Sequence, residues 1–241
     1  MRYIIELAYN GTNFHGWQKQ LNARTVQQEL EEKLFVLLKN PIETLGCGRT
    51  DTGVHAKQFF AHFDFPEILD TPDLVYKLNR ITSKDIAIKN IMPIHESFNA
   101  RFDAKWREYE YVISTYPNPF LNEFSWYNPT SINIDLMNKA CQLLLTHNNF
   151  ECFSKVHTQV NNFNCNLMEA YWKQDGELLV FTIKANRFLR NMVRAIVGTL
   201  IQVGLQNIDL THLEQIIASK NRSEAGMSVP AHGLFLTKVV Y

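Results

Sequence analysis

Long hydrophobic runs are missing from this chain of 241 residues. No apolar stretch approaches the roughly 20 residues that a membrane-spanning helix needs, so a transmembrane protein is not expected. The N-terminal Met1-Arg2-Tyr3-Ile4-Ile5-Glu6 carries charge within its apolar stretch, unlike a signal peptide, and cytoplasm is the expected compartment. Cysteine is scarce. Cys47, Cys141, Cys152 and Cys165 form no C-x-x-C pair, and none stands at metal-ligand spacing from a histidine. This argues against a zinc site and a disulfide framework and leaves reduced, structural thiols. An excess of either charge is also lacking, with 24 Lys and Arg against 24 Asp and Glu, so bulk electrostatics gives no reason to expect nucleic acid. No internal repeat is evident. The one polar biased segment, Asn161 to Asn166, reads as an exposed loop.

Charge is unevenly spread. Acids crowd Glu29, Glu31, Glu32 and the stretch Glu67 to Asp73, whereas Lys184 to Arg194 holds Lys184, Arg187, Arg190 and Arg194 and no acid. A neutral protein can still own a basic groove, because field focusing depends on local charge. With 46% of residues hydrophobic, the chain can bury one large core or two modest ones.

Periodicity orders the elements. Arg2 to Tyr9 reads as a strand and Asn10 to Trp17 as a loop. Thr25 and Gln28 then have capping-box spacing ahead of Val26, Leu30, Leu34, Leu37 and Leu38, a helix closed by Pro41. Strands are expected at Ile42 to Cys47 and Lys57 to Phe65. Thr71-Pro72-Asp73 starts a helix that leads to Asn79, and Ile86 to Ile94 is strand-like. The second half repeats this order loosely. It has a strand at Glu108 to Thr115, a helix from about Asp135 to Leu145, strands near Leu167 to Lys173 and Leu178 to Ala185, a long helix, and a last strand at Leu234 to Tyr241. An α+β protein of two similar halves, each a sheet with helices on one face, is the economical architecture.

The chemistry concentrates in Gly48-Arg49-Thr50-Asp51-Thr52-Gly53-Val54-His55-Ala56, where one carboxylate stands near a guanidinium between two glycines. Two readings of Asp51 stay open on local grounds. It is a turn residue capping nearby amides, or a carboxylate kept ionised by its cationic neighbour and fit to act as a nucleophile or electrostatic stabiliser. Asp51-Thr52-Gly53 also spells the aspartic-protease triplet, but there two carboxylates share a proton, which an adjacent Arg opposes. Strand alternation puts Arg107, Tyr109 and Tyr111 on one face, either a base-stacking platform or half-buried sheet residues. Arg187, Arg190 and Arg194 have the spacing of a single ridge on a helix whose Leu189, Met192, Val193 and Ile196 face a core, which suits a phosphate backbone or a plain solvated surface. Trp17, Trp106, Trp126 and Trp172 read as packing residues, and His55 and His62 as possible acid–base groups without a defined role.

Together these segments resemble the TruA family of tRNA pseudouridine synthases through nearly the whole chain. The carriers are Phe14-His15-Gly16-Trp17-Gln18, Gly48 to His55, Leu78-Asn79, Asp85 to Ile88, Ser97 to Phe102, Arg107 to Tyr111, Lys184 to Arg194 with Ile196-Val197-Gly198, and Gly233 to Leu236. The resemblance implies an enzyme that isomerises uridine to pseudouridine at positions 38, 39 and 40 of the tRNA anticodon stem-loop, without cofactor or metal. It implies two ferredoxin-like halves, 1–103 and 104–241, that form one continuous, mainly antiparallel sheet. A catalytic cleft between the halves and a homodimer on which tRNA lies complete that picture. By the same resemblance Asp51 is the catalytic Asp, Tyr109 stacks on the target base, Arg49 and Arg194 are active-site arginines, and Leu234 is an apolar wall. Arg24, Arg101, Arg187 and Arg190 are candidate tRNA contacts. Thr52, Asn99 and Ser83 depart from the Ala, His and Pro that the family often has there. A non-catalytic RNA-binding or chaperone protein is the rival reading, and retention of Asp51 argues against it.

Overall fold

A computed structural model of the chain describes residues 1–156, 160 and 162–241, so Asn161 of the polar segment lies outside the described residues. Two compact units emerge, Met1–Lys105 with Phe235–Tyr241, and Trp106–Leu234. In chain order the first contains β1 (Arg2–Tyr9), α1 (Val26–Leu38), β2 (Leu45–Gly46), β3 (His55–Asp64), α2 (Thr71–Ile81) and β4 (Ile86–Ile94). The second contains β5 (Trp106–Ser114), β6 (Trp126–Tyr127), α3 (Ile134–Leu145), β7 (Leu167–Asp175), β8 (Leu178–Ala185), α4 (Met192–Gly204) and α5 (Leu210–Ser219). The last strand, β9 (Leu234–Val240), belongs to the first unit in all but Leu234. The protein is thus mixed α and β with mostly antiparallel pairing, and no described helix is long and apolar enough to cross a membrane.

In the first unit β1 is central, with Ile5 opposite Ala61 of β3 and Ile91 of β4, both antiparallel. Alternation buries Tyr3, Ile5, Leu7 and Tyr9 on one face, and the rings of Tyr3 and Tyr9 each pack on a β3 phenylalanine, Phe63 and Phe59. Beside them Trp17 stacks on Phe59 at 4.2 Å. Helix α1 starts where Thr25 accepts from the Gln28 amide, buries Val26, Leu30 and Leu34, and stops at Lys39 in the left-handed region. The box is only half formed, because the Gln28 side chain turns to Glu32 instead of back to the cap. Asp70 caps α2 with Pro72 in the first turn. The strand expected over Ile42 to Cys47 shrinks to Leu45–Gly46. Side chains of α1 take the backbone groups it would have used, since Glu31 accepts the Thr44 amide at 2.9 Å and Gln27 donates to the Thr44 carbonyl at 2.8 Å. Finally β9 lies parallel to β3 at His55–Phe235 and Ala56–Leu236, and the Gln58 side-chain Oε1 accepts from the Val239 amide at 3.1 Å further along.

In the second unit β8 lies between β5 and β7, antiparallel to both. Asn133 caps α3, and Asn138 on that helix bonds both backbone groups of Trp172 in β7 (2.7 and 3.1 Å). Every residue of α4 is buried except Arg194 and Gln202, which makes it the core helix of the unit. The following α5 is absent from the sequence expectation, although Asp209 as its cap and Leu213, Ile216 and Ile217 on one face were available as signals.

One expectation is overturned. Arg187, Arg190 and Arg194 do not form a ridge on one helix, because α4 begins only at Met192. Asn191 sits in the left-handed region at φ 68°, which a right-handed helix cannot pass through. The Arg190 carbonyl, which a helix would give to Arg194, instead accepts from the Lys155 amide at 3.0 Å. Arg187 and Arg190 therefore belong to the irregular segment ahead of the helix.

Candidate functional site

The loop between β2 and β3 is held by its backbone. The Cys47 amide bonds the Phe60 carbonyl (2.7 Å), and the Val54 amide bonds the Asp51 carbonyl (3.1 Å), which closes a turn whose third residue, Gly53, has φ 78°. Asp51 opens this turn and is half-buried, whereas Arg49 is exposed. The loop Asn10–Trp17 forms a wall behind it. Gly53 donates to the Phe14 carbonyl at 3.2 Å, and Tyr9 Oη and Thr50 Oγ1 share a buried bond of 2.9 Å. Gly11 and Gly16 press directly on the loop backbone: a Cβ on Gly11 would overlap the Val54 carbonyl oxygen, and one on Gly16 the Thr50 carbonyl oxygen. Gly11 and Gly16 of the Asn10–Trp17 loop are there for close approach to the segment that presents Asp51.

The wall is itself anchored. His55 Nδ1 accepts from the Gly11 amide (3.0 Å), and the Asn13 side chain donates to Asp85 (3.0 Å). At the far end the Arg24 guanidinium forks onto Glu29 (2.6 and 3.1 Å) and lies 4.7 Å from the Phe14 ring. Glu29 also accepts from the Ser83 amide at 2.7 Å, a bond that proline in that place could not make. Asn99 likewise has a local use, because its side-chain oxygen accepts from the amides of Arg101 and Phe102. Arg101 is exposed, and its guanidinium lies 5.3 Å from the exposed Phe102 ring.

The remaining candidates lie in the second unit. Arg107, Tyr109 and Tyr111 share the buried face of β5, as alternation requires, but they are not one platform. The Arg107 guanidinium donates to the Asn186 carbonyl (3.0 Å), and Tyr111 Oη donates to the Pro230 carbonyl (2.8 Å). Burial pushes the Tyr111 hydroxyl well above its ordinary range, against a smaller opposing pull from Arg194. Tyr109 is 9% exposed, and the ring of Phe188 stands edge-on to it at 5.1 Å, a partner the sequence reading did not single out. Arg194 occupies the first turn of α4, and its Nε donates to the Val229 carbonyl at 2.7 Å. Leu234 is buried at the head of β9. Just before it, Gly233 lies against Tyr111, with 2.8 Å from a built Cβ to the ring. Arg187 is half-buried and Arg190 exposed. Structure thus gathers Asp51 and its wall in one unit and Tyr109, Arg194 and Leu234 in the other.

Among the described residues no three His, Cys, Asp or Glu side chains stand together as a ligand set. All four cysteines are buried and in no disulfide, and burial pushes Cys141 and Cys152 up to about 12 and Cys165 to about 11. Cys141, Cys152 and Cys165 are poor nucleophiles for that reason.

His55 and His62 serve structure: His62 Nδ1 accepts the buried Ala100 amide at 3.1 Å, as His55 does that of Gly11. Burial first, and then Arg2, holds the His62 pKa below its ordinary 6.5, while burial and Arg194 do the same for His232 against a hydrogen bond to Ser125. The unfolded chain therefore takes up these protons at a higher pH than the folded one. Stability from both groups is complete above the unfolded pKa of 6.5 and falls as pH drops below it. Chemical denaturation at pH 7.5 and pH 5.5 is expected to show lower stability at the lower pH, and His62→Gln should reduce that difference.

Comparison with known proteins identifies the family. A family model described as tRNA pseudouridine synthase matches residues 140–241, from within α3 to the C-terminus. A protein of Parabacteroides distasonis named tRNA pseudouridine synthase A is 48% identical over 241 residues, covering 100% of this chain and 96% of its own. Proteins of the same name from Porphyromonas gingivalis and Bacillus licheniformis are 44% and 35% identical, each over 100% of this chain and over 97% and 99% of their own. Identity of this extent, running through both units, means that the chain belongs to the tRNA pseudouridine synthase A family.

Proposed function

We propose that this protein isomerises uridine to pseudouridine in tRNA, at positions 38, 39 and 40 of the anticodon stem-loop. The observation that carries the activity is the match, along the full chain, to relatives named for it. The reaction breaks the N1–C1′ bond, turns the base and joins C5 to C1′. The C5 proton passes to solvent and N1 gains one, so no redox carrier or metal is needed. Asp51 is the attacking carboxylate. A uridine in a stem must first leave its stack, at a cost of a few kcal/mol, and Tyr109 with Leu234 supplies an aromatic face and an apolar wall to hold it. Arg49 and Arg194 recruit phosphate and carboxylate. Edge-on contact from Phe188 supports the Tyr109 role, since it limits how that ring can turn. The β-α-β-β-α-β order of β1 to β4 supports a ferredoxin-like reading of the first half. We read the enzyme further as a cytoplasmic homodimer.

Tritium release from tRNA labelled as [5-³H]uridine tests the activity, because only bond migration to C5 frees that proton. Release confined to the anticodon stem-loop, mapped by mass spectrometry, is expected, and tight binding without release would establish the rival RNA-binding function. Arg187 and Arg190 now stand apart as separate candidates, so each is to be replaced alone. Arg187→Ala or Arg190→Ala is expected to weaken tRNA affinity and to lower the slope of log K against log salt by about one if the side chain neutralises a phosphate. An unchanged slope assigns that residue to the plain solvated surface.

A further inference from the structure

Arg194 emerges from a helix that is otherwise almost wholly buried, and the segment Ala225–Val229 lies across that helix like a strap. Val229 exchanges two bonds with Arg194, accepting from its Nε at 2.7 Å and donating its own amide to the Arg194 carbonyl at 3.3 Å. Further along, the Gly226 amide donates to Thr199 Oγ1 at 2.8 Å. Two glycines let strap and helix touch: a Cβ on Gly198 would overlap the Met227 carbonyl oxygen, and one on Gly226 would come within 2.8 Å of the Gly198 and Thr199 backbone.

The strap is tied down by one side chain that the functional reading has not used. Arg222 Nη1 donates to the carbonyls of Ala225 (3.2 Å) and Gly226 (3.1 Å), and Nη2 donates to Ser228 Oγ (2.9 Å). The same Ser228 oxygen accepts at 2.6 Å from Nδ2 of Asn191, the left-handed residue just ahead of α4. A planar fork with fixed donor directions suits three acceptors on one turn of chain, which an ammonium on a flexible stem does not. We propose that Arg222 is a positioning residue: by fixing the strap at both Ser228 and the 225–226 carbonyls it sets the place of the Val229 carbonyl, and so the plane of the Arg194 guanidinium. The inference rests on the reading of Arg194 as an active-site arginine.

A double-mutant cycle tests it, with the full-length enzyme assayed for single-turnover pseudouridine formation and for tRNA affinity. Arg222→Met is expected to slow the reaction about tenfold, as misplacement of a substrate-facing group does, with tRNA affinity held within about twofold. In an Arg194→Lys background, which lacks the Nε donor, the same replacement should slow the reaction no further, although its effect on thermal unfolding persists. Equal slowing in both backgrounds, or none in the wild type, overturns the proposal. If Arg222→Met does not fold, Ser228→Ala replaces it in the same cycle and is judged by the same pattern. Normal turnover by Arg194→Ala would instead overturn the reading of Arg194 itself, and the proposal with it. Slow turnover by Arg194→Ala together with additivity in the cycle overturns the proposal alone.

Discussion

Asp51→Asn is expected to reduce tritium release from [5-³H]uridine-labelled tRNA by at least about 10³-fold while leaving tRNA affinity within about threefold. The amide keeps the size and shape of the carboxylate and loses the oxygen that we propose attacks carbon. Loop geometry should survive, because it is held by backbone bonds, Val54 to the Asp51 carbonyl and Gly53 to the Phe14 carbonyl, and by the Tyr9–Thr50 hydroxyl pair. A loss of activity without a large loss of thermal stability would therefore be chemical in origin. Turnover near that of the wild type would remove Asp51 from the mechanism and return it to the ordinary turn residue that its glycine-flanked position also allows.

Gly16→Ala is expected to be the most damaging small substitution in the scaffold, costing roughly 2–4 kcal/mol of stability. Two penalties coincide there. Gly16 has φ 80°, which L residues rarely adopt, and its Cβ would overlap the Thr50 carbonyl oxygen and lie 3.2 Å from the Asp51 carbonyl carbon. The obstacle is backbone, so relief requires the two loops to part. Because the displaced segment carries Asp51, enzyme that remains folded at low temperature should also lose activity, by about tenfold or more. Gly176→Ala supplies the control. Gly176 has φ 58° as well, but nothing stands within 4 Å of its built Cβ. It should cost only about 1 kcal/mol of strain and leave the rate unchanged. Equilibrium denaturation and single-turnover kinetics on both variants separate strain from contact. Equal effects at the two positions would show that the Asn10–Trp17 loop does not set the place of Asp51.

Much of the architecture was legible because it is written in short periods. Alternation over Arg2–Tyr9 and Leu178–Ala185 places both strands at the residues expected, and Thr25 and the Thr71-Pro72-Asp73 segment mark the starts of the first two helices. Failures occurred where a side chain far along the chain captured a backbone group. Glu31 and Gln27 took the amide and carbonyl of Thr44 and shortened the expected strand, and the left-handed Asn191 cut Arg187 and Arg190 away from the helix their spacing suggested. Neither event leaves a mark in local hydrophobic pattern. Similarly, Arg107 and Tyr111 share the face of Tyr109, but only the positions of Asn186 and Pro230 assign both to structural bonds.

By itself the sequence determined which chemical groups are present, a carboxylate in a glycine-hinged turn, a buried-face tyrosine and scattered arginines, and the membership of the tRNA pseudouridine synthase A family. Tertiary structure alone decided that the Asn10–Trp17 loop buttresses that turn, that the last strand closes the first unit, and that a strap from residues 225–229 grips Arg194. The physical reason is range. Helix and strand periods are read within a few neighbouring residues, whereas Gly16 against Thr50, Gln58 against Val239 and Arg194 against Val229 are contacts between distant segments, settled by strand register and by where two backbones can approach without a Cβ.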